Sequence, residues 1–269
     1  MADLKRVVLI TGASTGIGAC CAALLAERGY RVYGGARSPI TAPGVQPLTL
    51  DVTDDLSVAG AVETIQAREG RLDVLINNAG FGIAGAIEDT SIEEARAQFE
   101  TNFFGVLRMC RAALPIMRAQ KSGCIVNIGS IAGLIAVPFQ GFYSATKFAL
   151  EGFSEALRME VRPFGIRVTL IEPGDHRTAF TEKRRWAEGA LRGSAYDDPC
   201  RRSVDRMAQD EQAAAGPEAV AQLIARVLDH PNPRLRHTVG PANQRLAVWI
   251  KRLLPYGVTE KLVRDYYRI

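Results

Sequence analysis

At 269 residues with 47% apolar composition, the chain is long enough to bury a large core within one domain, residues 1–269. Its formal charge of +4 is interleaved, and the densest basic runs, Lys183-Arg184-Arg185 and Arg201-Arg202, are short and flanked by acids, which excludes a nucleic-acid footprint. Cys20, Cys21, Cys110, Cys124 and Cys200 are an odd number without metal-ligand spacing, and no apolar run reaches the ~18 residues of a membrane span or resembles a signal peptide, so a reduced, cytoplasmic protein with no metal site and no membrane span is expected.

Arg6-Val7-Val8-Leu9-Ile10 is the almost continuous apolar run of a strand covered on both faces. It leads into Thr11-Gly12-Ala13-Ser14-Thr15-Gly16-Ile17-Gly18 and then the helical pattern Ala19 to Arg28. Strand, glycine-rich turn and helix in that order offer backbone N–H groups and the positive end of a helix dipole to a phosphate. Gly12 suits a tight turn, and Gly16 and Gly18 allow close approach of backbone to ligand. Taken alone, the turn is equally consistent with a tight connection. The second strand, Tyr30 to Arg37, ends in Ala36-Arg37 where a carboxylate would grip the ribose diol of NAD. An arginine without that carboxylate suits a 2′-phosphate and favours NADP, although a surface arginine has the same local pattern.

Pro47 to Leu50 reads as a third strand, closed by Asp51-Val52, with Asp51 placed to meet an adenine amine. A helix is predicted over Asp55 to Arg68, then a strand over Leu72 to Ile76 ending in Asn77-Asn78-Ala79-Gly80. Those two amides suit either a sheet-edge role or a cofactor crevice. Ser91 and Glu94 form a capping-box pattern at the head of one long helix running to Lys121, with Asn102 beside its apolar stripe and in need of partners. Cys124 to Ile128 is the next strand, and Gly129-Ser130 at its carboxyl end falls where ligands bind in open α/β sheets.

Tyr143 and Lys147 then stand four residues apart at the start of a helix that runs to Arg162. This spacing puts phenol and ammonium on one face, where a cation favours the phenolate and lets it exchange protons with an alcohol or ketone. The pair by itself is also what two surface neighbours look like. Ile166 to Ile171 forms a strand ending in Glu172-Pro173-Gly174-Asp175-His176-Arg177-Thr178. The charged, irregular stretch 179–215 suggests a partly helical lid. A helix over Pro217 to Asp229 and a strand over Leu235 to Gly240 follow, and the extension 241–269 shows helical periodicity through Leu246, Trp249, Ile250 and Leu253, which predicts a stripe packed on the body.

With these pieces in order, the chain resembles the classical short-chain dehydrogenases/reductases over residues 5–240, through Thr11-Gly12-x-x-x-Gly16-Ile17-Gly18, Asn77-Asn78-Ala79-Gly80, Asn102, Ser130, Tyr143-x-x-x-Lys147 and Pro173-Gly174. Pro138-Phe139, Phe148 to Gly152 and Thr178-Ala179-Phe180 look like the hydroxysteroid and retinol dehydrogenase branch. The resemblance implies an α/β fold, a single doubly wound parallel sheet of the Rossmann type with a lid insertion and a helical C-terminal extension. It implies a homodimer or homotetramer built through the helices around 91–121 and 142–162.

It also assigns roles. Tyr143 would be the general acid of a carbonyl reduction, Ser130 would bind the substrate oxygen, Lys147 would lower the Tyr143 pKa and hold the nicotinamide ribose, and Asn102 would fix a relay water. NADP(H) would lie along Gly12, Ser14, Thr15, Gly16, Ile17 and Gly18, with Thr15 and Arg37 toward the 2′-phosphate. Asp51 and Val52 would meet adenine, Asn78, Ala79 and Gly80 its ribose, and Pro173, Gly174, His176 and Thr178 the nicotinamide end. Ala132, Ile135, Val137, Gln140 and Asp175 would wall a substrate pocket suited to a bulky hydrophobic ketone or secondary alcohol. A non-catalytic NADP-binding sensor and an NAD-linked alcohol dehydrogenase are the alternatives.

Overall fold

The computed structural model describes residues 5–269. Its strands are β1 (Val7–Thr11), β2 (Arg31–Ala36), β3 (Val45–Thr49), β4 (Val74–Asn77), β5 (Ile83–Ala84), β6 (Gly123–Ile128), β7 (Ile166–Pro173), β8 (Arg185–Trp186) and β9 (Arg236–Val239). Seven of them form one sheet in the order β3-β2-β1-β4-β6-β7-β9, with every pairing parallel. The period-2 alternation of a strand explains its two apolar faces: Val7 and Leu9 enter one core, Val8 and Ile10 the other. Helices α1 (Gly16–Glu27) and α8 (Glu218–Asp229) cover the second face, while α2 (Asp55–Glu69), α4 (Gly105–Gln120) and α5 (Gly141–Val161) cover the first.

The chain leaves β1 toward β2 on one side and β4 lies on the other, so strand order reverses there and a crevice opens above the carboxyl ends of the two strands. Buried amides stitch its floor. Asn77 Nδ2 donates to Asn127 Oδ1 (2.8 Å), and Asn127 Nδ2 donates to Ser154 Oγ on α5 (2.9 Å). Asn77 thus braces the carboxyl end of the central strands β4 and β6, whereas Asn78 turns the other way, donates to the carbonyls of Thr11 (3.0 Å) and Gly12 (3.1 Å) and lines the crevice. Of the two roles left open by the sequence, Asn78 takes the crevice and neither amide lies at a sheet edge, because β4 is a central strand.

The single long helix predicted from Ser91 to Lys121 is interrupted. α3 (Ile92–Phe99), with the predicted Ser91–Glu94 capping box formed, passes through a π-helical turn at Glu100–Phe104 before α4 begins. Asn102 sits in that turn, and an inserted π turn of this kind rotates side chains relative to the preceding helix.

The late segments also depart from the pattern. The 179–215 stretch folds as α6 (Phe180–Lys183), β8, which pairs with β5, and α7 (Asp197–Ala213). The extension forms α9 (Ala242–Lys251) and α10 (Tyr256–Tyr267). Most of its predicted stripe does not pack inward: Leu246, Trp249 and Leu253 are exposed and Ile250 is half-buried, and α9 buries Val248 instead. The inner face is chosen by polar anchors that periodicity does not reveal, since Gln244 is held by Asp175 and Lys251 Nζ donates to the Leu134 carbonyl.

Candidate active site

A cleft of about 900 Å³ lies above the carboxyl ends of β1, β4, β6 and β7. Its phosphate-sized end is the glycine turn. Gly12 has φ +66°, and a Cβ there would lie 2.9 Å from Ala79 Cα; Gly16 has φ +58°. Both positions suit glycine alone. Gly18 does not line the cleft, but a Cβ on it would come within 2.4 Å of the Gly12 carbonyl oxygen, so its role is to let α1 approach the turn. Thr15 precedes α1 without its side chain accepting from the helix N–H groups, and the first turn of α1 has no acid, which leaves those N–H groups and the dipole free to face an anion.

Thr11 Oγ1 accepts from the N–H groups of Asn78 and Ala79, both at 3.0 Å, and so locks the β4 loop onto the glycine turn. Arg37 and Asp51 lie at the far end of the cleft, 3.8 Å apart. Although burial alone would raise it, hydrogen bonds from Thr53 and the charge of Arg37 hold the Asp51 carboxyl below its ordinary pKa. Lys183 reaches back from α6 to donate to Thr15 Oγ1 (3.0 Å), a lid cation at the glycine turn.

Ser130, Tyr143 and Lys147 meet in the middle of the same cleft. Ser130 Oγ accepts from the Ala132 N–H (3.0 Å) and faces the Pro173 carbonyl (3.4 Å), which fixes its position at the end of β6. Lys147 is buried, and its Nζ donates to the Ile128 carbonyl (2.8 Å) while lying 5.7 Å from the centre of the Tyr143 ring. Burial pulls the Lys147 ammonium down to about 8, with the Glu151 charge opposing. Burial also pushes the Tyr143 phenol up to about 12, a hydrogen bond with Ser130 being the strongest opposing influence. The expected lowering of the Tyr143 pKa is outweighed in this geometry by burial of the phenol, while Lys147 Nζ is bonded to the Ile128 carbonyl.

Asn102 differs from its expected place. Its Oδ1 accepts from the Phe81 N–H (3.0 Å), and its Nδ2 donates to the Phe81 carbonyl (3.0 Å) and to Thr146 Oγ1 (3.2 Å). The side chain is spent on holding the Phe81 loop to α5, and Thr101, not Asn102, lines the cleft.

Comparison with known proteins places this arrangement. Residues 6–189 match the family profile described as short chain dehydrogenase. The chain belongs to the short-chain dehydrogenase family. It is 45% identical over 265 residues to a 3-ketodihydrosphingosine reductase of Bacteroides thetaiotaomicron, covering 98% of both chains. It is 37% identical to human 17-beta-hydroxysteroid dehydrogenase type 1 over 254 residues, 87% of this chain and 77% of that one. The crystal structure of a short-chain dehydrogenase from Streptomyces avermitilis superposes with a TM-score of 0.80 at 33% identity, covering 97% of this chain and 98% of that one.

This short-chain dehydrogenase is thus an oxidoreductase of alcohol and carbonyl groups that works with a nicotinamide cofactor. The glycine turn, the uncapped α1 and the crevice at the strand reversal fit such a dinucleotide. Of the other residues assigned from sequence, Ser14, Ile17, Val52, Gly80, Pro173, Gly174, His176 and Thr178 line the cleft with Ala132, Ile135, Val137, Gln140 and Asp175. His176 is buried, its Nδ1 3.0 Å from the Gly174 carbonyl.

The residues that sequence reasoning missed include Phe81, Gly82 and Thr101 on the sheet side, Met207 and Glu211 of α7, Gln244 of α9, and Leu262, Val263, Tyr266 and Tyr267 of α10. Apolar residues in α10 at Leu262, Val263 and Tyr266 were a readable signal that one face of the tail meets something apolar. Nothing in the spacing said that it was the cleft.

Proposed function

We propose that the enzyme is an NADP(H)-dependent reductase of a bulky, hydrophobic ketone, steroid-like or retinoid-like in size, with Tyr143 as the proton donor. One observation supports this most directly: the Ser130–Tyr143–Lys147 set opens into a large cleft whose far walls, Ile135, Val137, Met207 and Leu262, are apolar. The relatives named for a 3-keto lipid and a hydroxysteroid point the same way.

When bound, the dinucleotide supplies and accepts hydride. The chain supplies the rest. Ser130 Oγ donates a hydrogen bond to the substrate oxygen and stabilises charge that develops there. Tyr143 gives that oxygen its proton, and Lys147, already partly stripped of water, offsets the negative charge left on the phenol. Asn102 is a positioning residue, because it holds the Phe81 loop and α5 in one frame. Gly12, Gly16, Asn78 and Ala79 shape the dinucleotide crevice, and Arg37, with Thr15 and Lys183 nearby, selects the 2′-phosphate. A homo-oligomer formed through α4 and α5 accords with the exposure of Phe104, Phe148 and Met159 in that region.

The test is NADPH consumption across a panel from small aldehydes to long-chain, steroid and retinoid ketones, beside Tyr143→Phe. Turnover concentrated on the bulky apolar ketones, and reduced ~10²–10⁴-fold in the variant, is the expected result. Equal rates on polar and apolar carbonyls would count against the substrate class. NADPH binding without turnover, unchanged by the variant, would favour the sensor. The contact of Arg37 with Asp51 favours one second reading, an NAD-linked alcohol oxidation in which Arg37 is already occupied; faster turnover with NAD than with NADP would establish it.

A further inference from the structure

The extension 242–269 concentrates the net positive charge of the chain and a large share of its exposed apolar side chains. Six basic residues, Arg245, Lys251, Arg252, Lys261, Arg264 and Arg268, face only two acids, Glu260 and Asp265, an excess of four that equals the formal net charge of the whole chain, +4. All six except Lys251 are exposed. Residues 1–241 therefore balance. Seven of the sixteen large apolar or aromatic side chains that are exposed among the described residues also lie here, in about a tenth of the sequence. Leu246 and Trp249 share one face of α9 at i and i+3, Leu253 follows in the turn after the helix, and Trp249 is 62% and Leu253 66% exposed.

This outward face is fixed. On the inner side of α9 the Asp175 N–H donates to Gln244 Oε1 (2.9 Å), and α10 is held where Tyr266 OH donates to Asp210 Oδ2 (2.7 Å) under the Arg206 guanidinium. Leu262 lines the active-site cleft and is also 53% exposed, so the rim of the cleft and the outer face of the extension share a residue.

A basic, tryptophan- and leucine-bearing pair of amphipathic helices, with no helix of the described residues long and apolar enough to span a bilayer, has the chemistry of an element that lies in the plane of a membrane interface. We infer that α9 and α10 dock this enzyme onto anionic bilayer surfaces, apolar face inserted and arginines on the headgroups, with the mouth of the cleft against the lipid. Arginine and lysine stems reach past buried apolar groups to the headgroups, and acidic lipids complement the local excess charge. The consequence for catalysis, which rests on the apolar-substrate reading of the site, is that a lipid ketone enters past Leu262 directly from the bilayer. Docking itself does not depend on that reading.

The full chain is mixed with phosphatidylcholine vesicles and with vesicles of phosphatidylcholine and phosphatidylglycerol, and bound protein is measured by flotation. Binding to the anionic vesicles, at least tenfold weaker on phosphatidylcholine alone or in high salt, is expected. Leu246→Ser/Trp249→Ser/Leu253→Ser should weaken it tenfold or more, while turnover of a short water-soluble ketone stays at the wild-type rate and so reports an intact fold. In the wild type, quenching of Trp249 fluorescence by brominated lipid in a Trp186→Phe background locates the inserted face without relying on the triple variant. Absence of wild-type binding to both vesicle types overturns the inference. If sedimentation velocity then shows an oligomer that the triple variant dissociates, the face belongs to a second copy of the chain. Vesicle binding by a protein that reduces no ketone would instead leave docking standing and remove the proposed substrate.

Discussion

The two sides of the cleft are built by different means. The reacting side rises from the ends of β1, β4, β6 and β7 and is fixed largely through main chain: Thr11 holds two N–H groups, Asn78 two carbonyls, Lys147 the Ile128 carbonyl and Asn102 both polar groups of Phe81. The recognising side is assembled from α6, α7, α9 and α10, and besides the main-chain bonds of Gln244 and Lys251 it is held by side chains meeting side chains, such as Arg184 with Glu211, Gln244 with Asp175 and Tyr266 with Asp210. Bonds to the backbone hold a reacting group in place whatever the neighbouring side chains are. A wall held by side chains can be rebuilt by substitution, and that is the part that must match the substrate.

The contrast is sharpest at glycine. In Gly18→Ala the added methyl would meet the Gly12 carbonyl oxygen at 2.4 Å and Asn78 Nδ2 at 2.5 Å, so the glycine turn has to move. A loss of about 2–3 kcal/mol, with a fall in melting temperature of several degrees and weakened dinucleotide binding, is expected. Gly257 in α10 has nothing within 4 Å of such a methyl. Gly257→Ala should therefore be neutral or stabilising by up to about 1 kcal/mol, through helix propensity alone. Thermal unfolding of the two variants side by side decides the matter, and similar losses in both would erase the distinction between the walls.

The same division governs what could be read from sequence. The β1–glycine turn–α1 unit, Ser130 at a strand end and Tyr143-x-x-x-Lys147 are local patterns whose geometry follows from strand, turn and helix periods, and the structure brings them into one cleft. Asn102 was visible as a buried amide, but its partners Phe81 and Thr146 lie 21 and 44 residues away, so its task was not. The direction of the Tyr143 pKa failed for a similar reason. Spacing put a cation beside the phenol but did not reveal that the Ile128 carbonyl would hold that cation, or that burial of the phenol would outweigh it. The extension was legible as helix and misread in its facing, since the face that packs is set by Gln244 and Lys251 and the apolar stripe points out.

Cofactor choice crosses the two walls and gives a smaller effect. Arg37 belongs to the sheet side and Lys183 to the lid, and both flank the region where Thr15 ends the glycine turn. A charge-assisted contact to a 2′-phosphate is worth about 1.5–3 kcal/mol, so Arg37→Ala should lower the ratio of kcat/KM for NADPH over NADH by ~10–100-fold. Lys183→Ala should lower it less, because a lysine offers a point charge without the bidentate fork of an arginine. An unchanged ratio in Arg37→Ala would overturn the NADP assignment. A larger fall in Lys183→Ala than in Arg37→Ala would move cofactor selection from the sheet to the lid.

The smallest expected effect lies where the walls join, at Asp175. The end of β7 carries it into the cleft, and Gln244 of α9 clasps it through both its N–H and its carboxylate. Burial pushes its carboxyl from the ordinary 3.8 up to about 6; the Gln244 hydrogen bond opposes this, and the charges of Glu211 and Asp210 add to it. A carboxyl that holds its proton more tightly when folded gives the folded state an advantage that is complete below pH ~4 and is lost as pH rises through about 6. At neutral pH the ionised group is therefore a liability of roughly 1–2 kcal/mol, after allowing for the solvent that reaches a half-buried side chain. Asp175→Asn keeps an oxygen for Gln244 to bond and removes the charge. Urea unfolding at pH 4 and pH 7 should show the variant level with wild type at the lower pH and more stable by that amount at the higher. If the variant is instead weaker at pH 7, the attraction of Arg184 outweighs desolvation, and the carboxylate belongs with the fixed groups of the reacting wall.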